Sequence, residues 1–150
     1  MSSRRNFLDA MDDWVNVYLY RSMSEYFNFL KSTDVSMQQA YVITFLHYNG
    51  PSKMSEICEH MTVSAAAASQ MVDRLDKQNL VERAATPGDR RVRQVKLSEK
   101  GKTIVKHSIA ARQSWIQEIP DKLNEAQLEQ ISAALQLLNS IYQESPIGSQ

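Results

Sequence analysis

Midway along this chain the hydrophobic period changes from 3.6 to 2. Met54, Ile57, Cys58 and Met61 recur at i, i+3, i+4 and i+7, and Ala68, Met71, Val72 and Leu75 repeat the spacing. Each set is one narrow apolar face of a short helix. From residue 81 the spacing falls to alternation. Val81, Arg83 and Ala85 interleave with Glu82 and Ala84, then Arg93, Val95 and Leu97 with Val92, Gln94 and Lys96. The link between them, TPGDRR at 86–91, is rich in turn formers. Two short helices joined by a tight turn, then a hairpin with a charged tip, predict a winged helix. The helix-turn-helix spans 54–79 and the wing 81–97. Ser64 is placed to cap the second helix, and Asn79 to take the left-handed residue after it.

Longer helices flank this lobe. Met11, Trp14, Val15, Tyr18, Leu19, Tyr26, Phe27 and Leu30 fall at helical spacing between Phe7 and Leu30. Ser36 and Gln39 form a capping-box pair for a helix carrying Val42, Ile43, Phe45 and Leu46, which stops at Asn49, Gly50 and Pro51. Ser98 caps a further helix whose core candidates are Ile104, Val105, Ile109, Trp115, Ile116 and Ile119, with Pro120 ending or bending it. Asn124 and Gln127 cap a last helix with Leu128, Ile131, Leu135, Leu138 and Tyr142 on one face. The expected fold is mainly α with a small β-hairpin wing, in one domain over 1–150. Residues 36–98 form the winged lobe, 7–33 and 99–143 a helical platform, and 145–150 an aperiodic tail. The terminal helices hold more large apolar residues than so thin a lobe can cover, which predicts a partner chain.

Charge is neutral overall, with 17 Lys+Arg against 17 Asp+Glu, but unevenly placed. Residues 62–107 hold 10 basic and 5 acidic side chains, while both flanking regions are net acidic. A basic middle points to a local anion-binding surface. No apolar run reaches the roughly 18 residues of a membrane span, and two N-terminal arginines lack the apolar stretch of a secretory signal. A single cysteine excludes an internal disulfide framework and a multi-cysteine zinc cluster, and a reducing cytoplasm is the expected location.

Catalytic and metal readings fare poorly. His47, His60 and His107 fall on three different expected helices. There is no His-x-x-x-His pair, phosphate-binding glycine loop or nucleophile elbow. No enzyme activity, metal or cofactor is expected. Cys58 lies beside Ile57 and Met61 on an apolar face, where a cysteine behaves as a small hydrophobe.

The phrases VSAAAASQMVDRLDKQNLVER at 63–83, PGDRR at 87–91 and VKLSEKGK at 95–102 resemble the MarR family of winged helix-turn-helix transcriptional regulators. The likeness is most specific over 52–102 and extends in helix order across about 8–143. It implies a homodimer with interlocked terminal helices, two lobes on a palindromic operator, and repression relieved by a small ligand, often an aromatic anion. On the second short helix the face opposite the apolar one presents Ala66, Ser69, Gln70, Asp73, Arg74 and Lys77. Base edges are met by the front half, Ser64 to Gln70: Gln70 can pair with adenine, and Ala65 and Ala66 can meet thymine methyls. Arg74, Lys77 and Lys53 are phosphate candidates. The resemblance implies that Asp89 pairs with Arg91, with Arg90 beside them, and that Arg91 enters the minor groove. Many members carry Arg or Lys where this chain has Ala65 and Gln70, and further basic residues at Ala84 or Ala85. That thinning leaves open an alternative, a winged-helix protein-interaction module with weakened DNA binding. Trp14, Tyr18, Tyr41 and Trp115 are candidate lining for an aromatic effector.

Overall fold

The computed structural model describes residues 2–86 and 89–143, and the side chains of 2–84 and 94–141. Its elements run α1 (Ser2–Lys31), α2 (Met37–Asn49), β1 (Ser52–Lys53), α3 (Met54–Met61), α4 (Ala65–Lys77), β2 (Val81–Thr86), β3 (Asp89–Leu97), α5 (Glu99–Gln113), two 3₁₀ turns (Ser114–Glu118 and Pro120–Lys122) and α6 (Glu125–Gln143). Two compact units result, residues 1–113 and 114–150.

Local chemistry sets the boundaries in the first unit. The Ser36 side chain accepts from the Gln39 amide while Gln39 Oε1 accepts from the Ser36 amide, the expected capping box. Gly50, at φ 75°, closes α2 with its amide on the Leu46 carbonyl. Thr62 takes a left-handed conformation at φ 54° and turns α3 into α4. Ser64 caps α4 by accepting from the Ala67 amide at 3.3 Å. Asn79, at φ 56°, turns the chain out of α4 toward β2.

Ala68, Met71, Val72 and Leu75 are all buried, and so are Val81, Val95 and Leu97. Of these, Val72, Leu75, Val81, Val95 and Leu97 join Val42, Ile43, Leu46, Ile57 and Val105 in one core. The wing is a three-stranded antiparallel sheet ordered β1-β3-β2, with Val81 opposite Leu97 and Ser52 opposite Val95. A two-residue strand shows no alternation, so β1 leaves no trace in the sequence pattern. α5 packs against α1, which adds Tyr26 and Leu30 to the core.

Two expectations need correction. α1 starts at Ser2 rather than Phe7, because helix propagation adds one bond per residue and needs no apolar residue. The helix capped by Ser98 stops at Gln113 and does not run to Pro120. Proline has no amide and its ring crowds the carbonyl four residues back, and the chain before it tightens to i→i+3 bonding, with the Ile119 amide on the Ile116 carbonyl at 3.1 Å. On α1, Trp14, Val15, Tyr18, Leu19 and Phe27 are exposed, as are Ile131 and Leu135 of α6. In the second unit, Trp115 is buried and the Asn124–Gln127 capping pair is present, both bonds at 3.0 Å. The wing-tip residues Pro87 and Gly88, and the tail 145–150, lie outside the described residues.

Candidate nucleic-acid interface

α4 buries one side and leaves the other to solvent. Ala65, Ala66, Gln70, Asp73, Arg74 and Lys77 are exposed and Ser69 is half-buried. The buried positions Ala68, Met71, Val72 and Leu75 hold the helix down, so this outer row is fixed in direction by the core. Ser64 is exposed at the front of the helix, its Oγ occupied as acceptor by the cap. Lys53 sits at the β1–α3 junction with an exposed side chain, and its amide donates to Glu56 Oε2 at 2.6 Å.

One contact on this face has no counterpart in the sequence reading. Asp73 of α4 pairs with Arg83 of β2. The chain reverses around Gln78 and Asn79, so residues five before and five after Gln78 return to the same level. That symmetry was the available signal. The pair is exposed and adds little stability, but it neutralises the acid nearest Arg74. Arg74 and Lys77 enter no ion pair among the described residues, leaving two cations on the rear half of α4. The front half offers small apolar groups and the Gln70 amide. Such a face can meet base edges at one end and phosphates at the other. The side chains of Asp89, Arg90 and Arg91 lie outside the described residues.

The four aromatic effector candidates occupy separate surroundings. Tyr41 and Phe45 of α2 stack on the His60 ring of α3, with centroids 5.1 and 4.3 Å apart. Trp14 and Tyr18 lie on the exposed stretch of α1, and Trp115 is buried in the second unit. A cleft of about 720 Å³, lined by Leu46, His47, Lys96, Leu97, Lys102 and Lys106 among others, contains none of the four. At its rim the Lys102 ammonium bonds Glu99 at 2.7 Å and holds that carboxyl below the usual carboxylate range, while Glu99 raises Lys102 in return.

A model described as the MarR family matches residues 33–92. Over those residues the winged lobe is similar to the MarR family. Over 85 residues the chain is 33% identical to the HTH-type transcriptional repressor MdtR of Bacillus subtilis (strain 168). That match takes in 57% of this chain and 55% of the relative, so the chain spans about half the length of that curated protein. Among solved structures, the transcriptional regulator Tm0710 from Thermotoga maritima superposes with a TM-score of 0.81 and 18% identity, over 95% of this chain and 99% of that one. An S. aureus MepR F27L mutant bound to an oligodeoxyribonucleotide gives 0.69 and 17%, over 87% and 97%. At such identities the likeness is one of fold. The MarR-type lobe therefore has known architecture, while its surface residues are its own.

Proposed function

We propose that this chain is a cytoplasmic transcriptional regulator that binds a pseudo-palindromic operator as a homodimer and represses until a small aromatic effector binds. The observation that carries the reading is the two-sided build of α4: one face locked into the core, the other presenting Gln70 ahead of Arg74 and Lys77. Gln70 pairs with adenine, Ala65 and Ala66 meet thymine methyls, and Ser64 and Ser69 bond to bases or sugars. Arg74, Lys77 and Lys53 meet phosphates. Asp89, Arg90 and Arg91 serve the minor groove from the wing tip. Repression agrees with the naming of the MdtR relative as a repressor, and operator binding with the oligonucleotide-bound MepR neighbour. The exposed apolar residues of α1 and α6 favour a second copy as their cover. For the effector, the cleft beside α5 offers volume and one lysine, Lys106, in no ion pair among the described residues, while Lys96 and Lys102 are paired with Glu82 and Glu99.

Selection of bound duplexes from a random pool tests the core of this reading. The expected product is an inverted repeat with half-sites about one helical turn apart. A pool that shows no enrichment while the chain captures a protein partner sinks it in favour of the interaction module.

A further inference from the structure

The rear end of α4 is tied down by polar bonds that base reading does not require. Gln78 ends the helix, and three of its atoms are engaged by three different parts of the lobe. Its Oε1 accepts from Gln39 Nε2 of α2 at 3.0 Å. Its Nε2 donates to the Asp34 carbonyl, in the joint between α1 and α2, at 2.8 Å. Its own carbonyl accepts from Lys100 Nζ of α5 at 2.9 Å. Gln39 is buried, and its other amide atom is committed to the Ser36 amide at 2.9 Å, so it cannot turn away without opening the α2 cap. The next two residues are held as well. Ser98 Oγ donates to the Asn79 carbonyl at 2.6 Å, and the Ser98 amide to the Leu80 carbonyl at 3.1 Å. Among the described residues, the front of α4 is held by the Ser64 cap and its apolar underside.

This makes α4 a lever anchored at the end away from the bases. From Gln78 to Gln70 is about 12 Å along the axis, so a tilt of only about 5° at the anchor shifts Gln70 by about 1 Å. Bidentate pairing to adenine tolerates roughly half that displacement. We propose that Gln78 is a positioning residue for operator reading: it sets the angle at which α4 presents Gln70 and makes that angle depend on the α1–α2 joint and on α5. The proposal rests on the DNA-binding reading above and assigns Gln78 no contact with DNA.

The test uses the full-length chain with Gln78→Met, which keeps the side-chain length and loses both side-chain bonds, and Lys100→Met, which removes the third. Affinity is measured for the selected operator and for a random duplex of equal length at one salt concentration. Gln78→Met is expected to weaken operator binding about tenfold, comparable to losing one base-pair reader, and to leave random-duplex binding within about twofold. Lys100→Met is expected to shift the same ratio by a smaller factor. A purely structural role lowers the folded fraction and so weakens both duplexes alike. Equal loss on the two duplexes, or no loss on either, overturns the proposal. Lys100 is exposed, so if Gln78→Met does not fold, Lys100→Met decides alone by the same two outcomes. A wild-type chain that does not prefer operator over random duplex overturns the DNA-binding reading itself, and this proposal with it.

Discussion

Gln70 and Gly101 show two kinds of residue-scale constraint. Gln70 is exposed on α4, and its replacement leaves the core untouched. If it pairs with adenine, Gln70→Ala loses about 1–3 kcal/mol of discrimination at one base pair per half-site, with random-duplex binding hardly changed. Competition binding against single-base operator variants measures this, and equal loss on every sequence removes Gln70 from the readers. Gly101 is constrained by space. A Cβ there would sit 2.0 Å from the Leu80 carbonyl oxygen and 3.2 Å from Leu97 Cδ2. Backbone cannot give way as a flexible side chain does, so α5 must lift off the exit of α4. Gly101→Ala is expected to cost about 2–4 kcal/mol in urea unfolding, far above a routine surface substitution. A cost within about 0.5 kcal/mol contradicts the close approach.

At the scale of elements, the wing and α4 divide the work. α4 meets the sheet through Asp73 and Arg83, while Glu82 and Lys96 pair across β2 and β3 at 3.0 Å. Both pairs are partly exposed, and each neutralises a cation with a neighbouring carboxylate. On the proposed reading the wing meets DNA through the tip residues Arg90 and Arg91. Arg91→Ala is expected to weaken operator binding most where the flanks are A·T-rich, and to flatten the log K against log[salt] slope by about 2 in a dimer. Asp89→Ala separates the explanations, since simple electrostatics predicts tighter binding and loss of an arginine brace predicts weaker. Tighter binding by Asp89→Ala together with a neutral Arg91→Ala makes the tip a solvated turn. The helix-turn-helix itself was legible because each helix buries a single face and α4 is followed by Asn79, a residue suited to the left-handed conformation, whereas the left-handed Thr62, a β-branched residue, was not legible.

At the scale of the molecule, the unpaid surface is apolar. Phe7, Leu8, Val17, Leu19 and Tyr20 of α1 are each about half exposed or more, and Leu137 and Ile141 of α6 are 66% and 60% exposed. A chain this size rarely leaves so many large apolar groups in water. Sedimentation at micromolar concentration is expected to give a dimer, and a fragment of about residues 34–98 to be monomeric and poorly stable. A full-length monomer removes the two-half-site reading altogether.

Caps, periods and turns are local, and the sequence determined them alone. The Ser36–Gln39 and Asn124–Gln127 boxes, the Ser64 cap, the turn at Asn79 and the inward row Ala68, Met71, Val72 and Leu75 depend on neighbours within a few residues. Which distant groups meet was decided only in three dimensions. The pairing of Ser52 with Val95, the Asp73–Arg83 ion pair and the three bonds on Gln78 join residues that no periodicity relates. The apolar stripe of α1 shows the same limit from the other side. Its spacing marked a face to be covered, but only the packing of α5 onto Tyr26 and Leu30 decided that the chain covers one end of it, because burial is a property of what arrives opposite a residue and not of the residue itself.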